Sequence, residues 1–442
     1  MLNKIFKLRA RNTSTQNEIV AGTTTFLTMA YIIFVNPDIL ANAGMDKTAL
    51  IAVTCLITAI ATIATGLFAN APIAMAPGMG LNAFFAYTLV ITEQISWQTA
   101  LGVVFLSGLL FLILTLAGLR RKLVEAFPAS LISAISVGIG LFITFIGLKN
   151  LGIIIDNPVT LVQAGNLNLT IMLGLAGLIV MIFLEMKKIK GSLLVGIIFS
   201  TVLAILLNKF LPADGKVKIP TSLMSADISI AAIALKLDII GALRWSLFGS
   251  IFSLMFMDMF DSIGTLVACC SEAKMADEKD KIKELDKLLA VDAAATMLGA
   301  AMGTSTTTSY IESAAGIEQG GRTGLTSIVT GILFLIAVFF VPLVGIVPGY
   351  ATAPALIMVG LFMVKGIKKI DFSRMEDAFP SFIIIIMIAL SYSISTGLAF
   401  GFISFTLLKI LAGKFGDIKP VMWIITILSI LYFVLPMFTT GS

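Results

Sequence analysis

The sequence predicts an all-α polytopic membrane protein of about 14 spans, arranged as a 7+7 inverted repeat with short strands and half-helices in spans 3 and 10. Three observations carry this reading. Hydrophobic residues fill 58% of 442 positions and charged residues only 12%, with a mean hydropathy of +1.04, too apolar for a soluble domain. Apolar stretches of spanning or near-spanning length recur along the chain, separated by short basic loops. Two of these stretches, at matching positions of the two halves, are interrupted by Pro/Gly or Ser/Thr runs.

Taken in order, apolar segments fall at about 17–36, 47–69, 75–92, 97–118, 130–148, 169–186, 190–208, 243–269, 286–302, 309–320, 323–345, 352–364, 376–393 and 396–412. A further one at 420–437 either lies in the membrane interface or is itself the fourteenth span, with 376–412 then a single broken element. Met1 to Gln16 is basic and polar and runs into a segment long enough to span, so no cleavable signal peptide is read there. The basic clusters are Lys4/Lys7/Arg9/Arg11, Arg120/Arg121/Lys122, Lys187/Lys188/Lys190, Lys274 to Lys287, Arg322, Lys365/Lys368/Lys369/Arg374 and Lys409/Lys414/Lys419. Each follows an even number of crossings, which places them and the N-terminus in the cytoplasm of a multi-pass plasma-membrane protein. These loops account for the net charge of +5, so no nucleic-acid partner is called for.

The two halves correspond at an offset of about 230 residues. The pair 17–36 and 47–69 maps to 243–269 and 286–302, AMAPGMGLNAFF (Ala74 to Phe85) maps to AMGTSTTTSYIES (Ala301 to Ser313), and 97–118 maps to 323–345. Seven crossings per half is an odd number, so the halves are inverted. Thr304 to Thr308 is β-branched except at Ser305, and the alanines after Ser309 favour helix, which predicts a short strand feeding a half-helix near Tyr310 to Glu312. Irregular backbone at that depth survives only against protein or a water-filled cavity. Such broken segments are where transporters hold polar ligands.

Deep ionisable residues are few: Asp258 and Asp261 in FMDMFDSIGTL, and Glu312 in SYIES. Asp258 and Asp261 are three apart and share a helix face. Unpaired carboxylates at that depth point to function unless they only brace the broken backbone of neighbouring segments. Ser309 with Glu312 also matches a capping box, a reading in which the glutamate merely closes a helix start. Asn82, after Pro77-Gly78-Met79-Gly80, is an N-cap or a ligand contact, and Gly80 allows close backbone approach. Tyr310 and Phe84 or Phe85 offer a flat apolar wall, or simple packing. No histidine is present, and the cysteines are Cys55, Cys269 and Cys270. That removes the usual zinc sets and Ser-His or Cys-His catalysis, leaving proton chemistry to carboxylates, Lys, Tyr or Cys. The residues thus describe a midplane site for a small polar solute, flat and uncharged.

AGTTTFLTMAYIIFVNP (Ala21 to Pro37), APGMGLNAFFAY (Ala76 to Tyr87), FMDMFDSIGTL (Phe256 to Leu266) and GTSTTTSYIESAAGIEQGGRTGL (Gly303 to Leu325) together resemble the azaguanine-type hypoxanthine/guanine permease branch of the nucleobase–cation symporter family, over nearly the whole chain. The resemblance implies a core domain of spans 1–4 (1–118) and 8–11 (239–345), and a gate domain of spans 5–7 (119–238) and 12–14 (346–442). It also implies uptake of a purine base, guanine or hypoxanthine, coupled to protons rather than Na⁺ and needing no other cofactor. Asp258 and Glu312 would bind the base, Asn82 and Gly80 would contribute from span 3, and Asp261 would support Asp258. Asp261, Asp258 and Glu312 are the candidates for proton coupling, because desolvation penalises a charged carboxylate and neighbouring acids resist ionising together. Related uracil and xanthine carriers have a histidine near the site, so their coupling scheme does not transfer intact to this histidine-free chain. Another nucleobase (adenine, xanthine, uracil) or an anion is the alternative cargo; an enzyme is disfavoured by the missing nucleophile–base pair. The expected partners are the purine base and the lipid bilayer, and a homodimer is among the assemblies left open.

Overall fold

In the computed structural model, the described residues are all but 1, 119–127, 219, 221, 223, 226–228, 276–281, 283 and 440–442. The predicted cluster Arg120/Arg121/Lys122 and part of the run Lys274 to Lys287 therefore lie outside the described residues.

The first half begins with α1 (Thr15–Met29) and α2 (Ile32–Ala41), one crossing interrupted at Ala30 and Tyr31, then α3 (Lys47–Phe68). Strand β1 (Met75–Pro77) leads into α4 (Met79–Ala83), which continues as a π-helix over Phe84–Thr92. There follow α5 (Trp97–Leu116), α6 (Ala129–Leu151), a hairpin of β2 (Ile154–Asn157) and β3 (Leu161–Ala164), α7 (Leu169–Met186) and α8 (Ser192–Leu206). The second half repeats this plan with α9 (Phe248–Glu272), α10 (Leu285–Met302), β4 (Thr307–Ser309), α11 (Ser313–Glu318), α12 (Gly324–Ala337), α13 (Gly349–Val364), α14 (Met375–Ser391) and α15 (Ile394–Leu411). The architecture is helical, with the 7+7 inverted repeat and interrupted spans 3 and 10. Nine described helices are long and apolar enough to cross a membrane unaided; Met79–Thr92 and Ser192–Leu206 are shorter.

The halves meet where the interrupted spans cross. Met75, Ala76 and Pro77 pair antiparallel with Ser309, Thr308 and Thr307. The ladder is extended by Gly78 N–H to Thr306 O at 3.1 Å and Tyr310 N–H to Ala74 O at 2.9 Å. Each broken span thus satisfies the other's backbone, which is what apolar surroundings demand.

Two packing groups surround this crossing. In one, α3 and α12 approach so closely that a Cβ on Gly324 would stand 2.0 Å from the Gly66 carbonyl oxygen, and α10 lies against α3 and α5. In the other, α6 packs on α13 and α14, and a Cβ on Gly360 would stand 2.5 Å from the Gly140 oxygen. Small residues at helix crossings let backbones gain dispersion contact that lipid tails would otherwise supply. Glu18 fastens the first group. It accepts from Arg322 N at 2.9 Å and from the Thr323 and Thr326 hydroxyls at 2.8 and 2.6 Å, closing the start of α12.

The segment 376–412 forms two helices, α14 and α15, that pack on each other, and not one broken element. A further helix, α16 (Pro420–Thr439), runs antiparallel to α15. Thr406 bonds Thr426 at 2.6 Å, while Thr396 bonds Tyr432 at 3.3 Å.

Candidate functional site

Glu312 sits at the turn between β4 and α11, where the chain changes from strand to helix after crossing β1. The helix begins only at Ser313, and Glu312 makes no capping bond with its side chain. The capping-box reading therefore fails. Ser309 is held in the strand opposite Met75, and its hydroxyl goes to Asp292 at 2.9 Å instead of to a helix N–H. Glu312 Oε1 accepts the Tyr31 hydroxyl at 2.6 Å, from the break between α1 and α2. Tyr310, buried beside it, donates to the Pro77 carbonyl at 2.5 Å and so ties the two interrupted spans together.

Asp258 is buried on α9 and its Oδ2 accepts from Thr296 Oγ1 at 3.0 Å; its Oδ1 is buried with no partner. Asp292, on α10, has no exposed surface. Its Oδ2 accepts from Ser262 at 2.6 Å and Ser309 at 2.9 Å, while Oδ1 is left bare. Ser262 also lies 2.7 Å from the Thr308 hydroxyl, linking the α9 face to β4. Asp261, one turn from Asp258, is exposed, as is Gly264. A Cβ on Gly264 would meet nothing within 4 Å, so this stretch of α9 borders open space. Ile311, 52% exposed, borders open space as well. Asp261 and Glu312 interact electrostatically, as do Asp258 and Asp292. No cation contributes to the surroundings of any of these four acids among the described residues.

The sequence-predicted residues are therefore gathered at the β1/β4 crossing, with differing access. Glu312 and Asp261 border open space. Asn82 is fully buried and engaged: its amide donates to Asn36 Oδ1 at 2.7 Å and its oxygen accepts the Ser305 hydroxyl. Asn36 in turn donates to Thr54 at 2.6 Å, so Asn82 belongs to a polar cluster joining α2, α3 and α4. Gly80 is where α4 meets α6; a Cβ there would stand 2.6 Å from Ile139 Cγ2. Asp292, Tyr31, Ser262 and Thr296 were not singled out from sequence. Asp292 carries a usable signal, an acid inside the apolar segment 286–302. Tyr31 carried none beyond its place in the first motif.

Two antiparallel broken spans, an inverted repeat and a cluster of acids at their crossing define an integral membrane transporter, not an enzyme. Residues 16–400 match the Xan_ur_permease model, described as a permease family, and the chain belongs to that family. It is 42% identical to the adenine permease AdeP of Escherichia coli over 98% of this chain and 95% of that one. It is 40% identical to the guanine/hypoxanthine permease PbuG of Bacillus subtilis over 98% of this chain and 99% of that one. Among solved structures, the transmembrane domain of a cyanobacterium bicarbonate transporter, BicA, superposes with a TM-score of 0.65 at 16% identity, covering 86% of this chain and 96% of that chain; the likeness is one of fold.

Proposed function

We propose that this permease imports purine nucleobases by proton symport, with the base held near the bilayer midplane between spans 1, 3, 8 and 10. The observation that carries the reading is the set of four carboxylates at the strand crossing, with no cation beside them among the described residues. Asp258 and Asp292 are both buried and interact, and two such carboxylates resist ionising together, so the pair favours holding a proton, and a proton that can be held can be carried. Glu312 and Asp258 would accept from ring N–H donors of the base. Asp261 and Asp292 would share the coupling proton through the Ser262 and Thr308 hydroxyls. The names of the relatives support a nucleobase as cargo and are split between guanine/hypoxanthine and adenine. Adenine is therefore the second reading.

Spans 1–4 and 8–11 (1–118 and 239–345) would form a core that moves against a gate of spans 5–7 and 12–14 (119–238 and 346–442). The two packing groups support this division. Polar contacts between them include Thr352 with Asp38, Thr88 Oγ1 with the Tyr392 carbonyl at 3.0 Å, and Lys190 with Glu318 at 2.5 Å. With the N-terminus in the cytoplasm, the first two pairs would close the outer side and the third the inner side.

Proteoliposomes given labelled hypoxanthine, guanine and adenine under an inward proton gradient test the assignment. Accumulation of a purine that collapses with a protonophore and ignores replacement of Na⁺ is expected. Uptake that follows Na⁺ would overturn the coupling, and uptake of none of the three would overturn the cargo. Asp261→Asn should reduce accumulation more than binding; an undiminished proton-driven gradient would pass the coupling role to Asp292 or Asp258.

A further inference from the structure

Away from the carboxylates, the described residues line a cavity of about 290 Å³ between the first turns of α9, the start of α15 and the last helix, α16. Phe252, Ala399, Phe402 and Ile425 give it apolar walls, and Ser395 and Tyr432 bring hydroxyls to them. The Ser395 hydroxyl is buried and has no partner. At the rim Trp245 and Phe248 stack with ring centroids 5.8 Å apart, and they are 67% and 43% exposed. Aromatic pairs of this kind mark the level of the lipid headgroups. Ser250, beside Gly249 of the cavity wall, lies 3.5 Å from Glu93 Oε2, and the second Glu93 oxygen has no partner.

We propose that this cavity holds one acyl chain of a phospholipid whose headgroup amine pairs with Glu93. An apolar cavity stays dry unless it offers water several polar partners, and this one offers few. Its walls come from two helices long and apolar enough to cross a membrane, α9 and α15, and from the apolar helix α16, so the membrane is the natural source of the occupant. A lipid tail fits the walls, and Ser395 is placed to meet an ester oxygen. Glu93, next to the cavity through Ser250 and Tyr432 and with one carboxylate oxygen lacking a partner, favours an amine over an anionic headgroup. The site also gives α16 a task. Without that helix the cavity would lack one wall. Because α9 packs on α5 and α10 of one group and α15 on α14 of the other, a bound chain touches both, and its presence biases how they settle against each other. None of this depends on which solute is carried.

The test uses the full chain in nanodiscs of phosphatidylethanolamine and phosphatidylglycerol, with a photoactivatable acyl chain on the phosphatidylethanolamine and peptide mass spectrometry as the readout. Labelling should concentrate on peptides containing 395–402 and 425–432. Ala399→Phe, which fills the cavity, should cut it at least fivefold; Ser253→Phe, at the more open wall, does the same if the first variant fails to insert. Unlabelled phosphatidylethanolamine should compete better than phosphatidylglycerol in the natural chain, and equally in Glu93→Gln. Labelling spread evenly over the lipid-facing helices, or unaffected by both fillings, overturns the site. Cross-linking of these peptides to a second copy of the chain in place of lipid overturns it too. Equal competition by the two lipids in the natural chain overturns the amine assignment.

Discussion

Glu312 takes a hydroxyl hydrogen bond from Tyr31 and borders open space, so it already has one donor and can accept another from a solute. A hydrogen bond to a charged group contributes about 1.5–3 kcal/mol, roughly ten- to a hundredfold in affinity. Glu312→Gln should weaken purine uptake by that factor while the protein still inserts. Tyr31→Phe should give a smaller loss, since it removes an orienting partner and not the acceptor. Transport assays on both variants check this, and equal losses would mean that Tyr31 itself touches the solute. Glu93 presents a different case at the loop beyond the π-helix. Burial pushes its carboxyl up from the ordinary 4.5 to about 7, against a smaller opposing effect from the Ser250 hydroxyl. An acid raised in the folded state contributes stability that is full below about 4.5 and is lost as pH climbs through about 7. Melting in detergent should therefore show Tm falling between those limits, and Glu93→Gln should flatten that fall. An unchanged slope in the variant would place the titrating group elsewhere.

At the scale of the element, close packing sets the sharpest expectation. A methyl on Gly324 would stand 2.0 Å from the Gly66 carbonyl oxygen, a backbone atom with no rotamer to yield. Gly324→Ala must push α3 and α12 apart, a cost of about 1–3 kcal/mol, read as a lowered Tm; an unaltered Tm would mean that the helices slide without loss. The broken spans themselves were legible. Pro77-Gly78 cannot continue a helix and a run of Thr favours extended backbone, so a strand and a half-helix in each followed from local chemistry. The capping box was misleading for a tertiary reason. Ser309 has the right spacing to Glu312, but strand pairing holds it extended and Asp292 takes its hydroxyl. Asn82, after Pro77-Gly78-Met79-Gly80, reads as an N-cap or a ligand contact, whereas Gly78 holds the cap position and Asn36 and Ser305, distant in sequence, engage the amide. The π-helical turn of Phe84–Thr92 has no residue pattern that announces it. The second half of the site, Asp292 with Ser262 and Thr296, needed the fold to bring α9 and α10 together.

Across the whole molecule, the inverted repeat places two groups of helices against each other, with polar contacts between them near opposite faces. Lys190, in the turn between α7 and α8, meets Glu318 at the end of α11 at 2.5 Å, with side chains 37% and 52% exposed. An exposed ion pair of this kind contributes about 0–1 kcal/mol, too little to hold two bodies together and well suited to a contact that breaks in each cycle. Replacing both residues with cysteine tests whether it does. The native cysteines, Cys55, Cys269 and Cys270, are all buried and can stay. Oxidation of the Lys190→Cys, Glu318→Cys double variant should stop uptake, and a reductant should restore it, if the groups separate here during transport. The uncrosslinked double variant should carry solute at close to the natural rate, since the pair contributes little. Uptake that continues after complete oxidation would show that these groups move without parting at this point, and the moving boundary would then lie between other helices than those the packing divides.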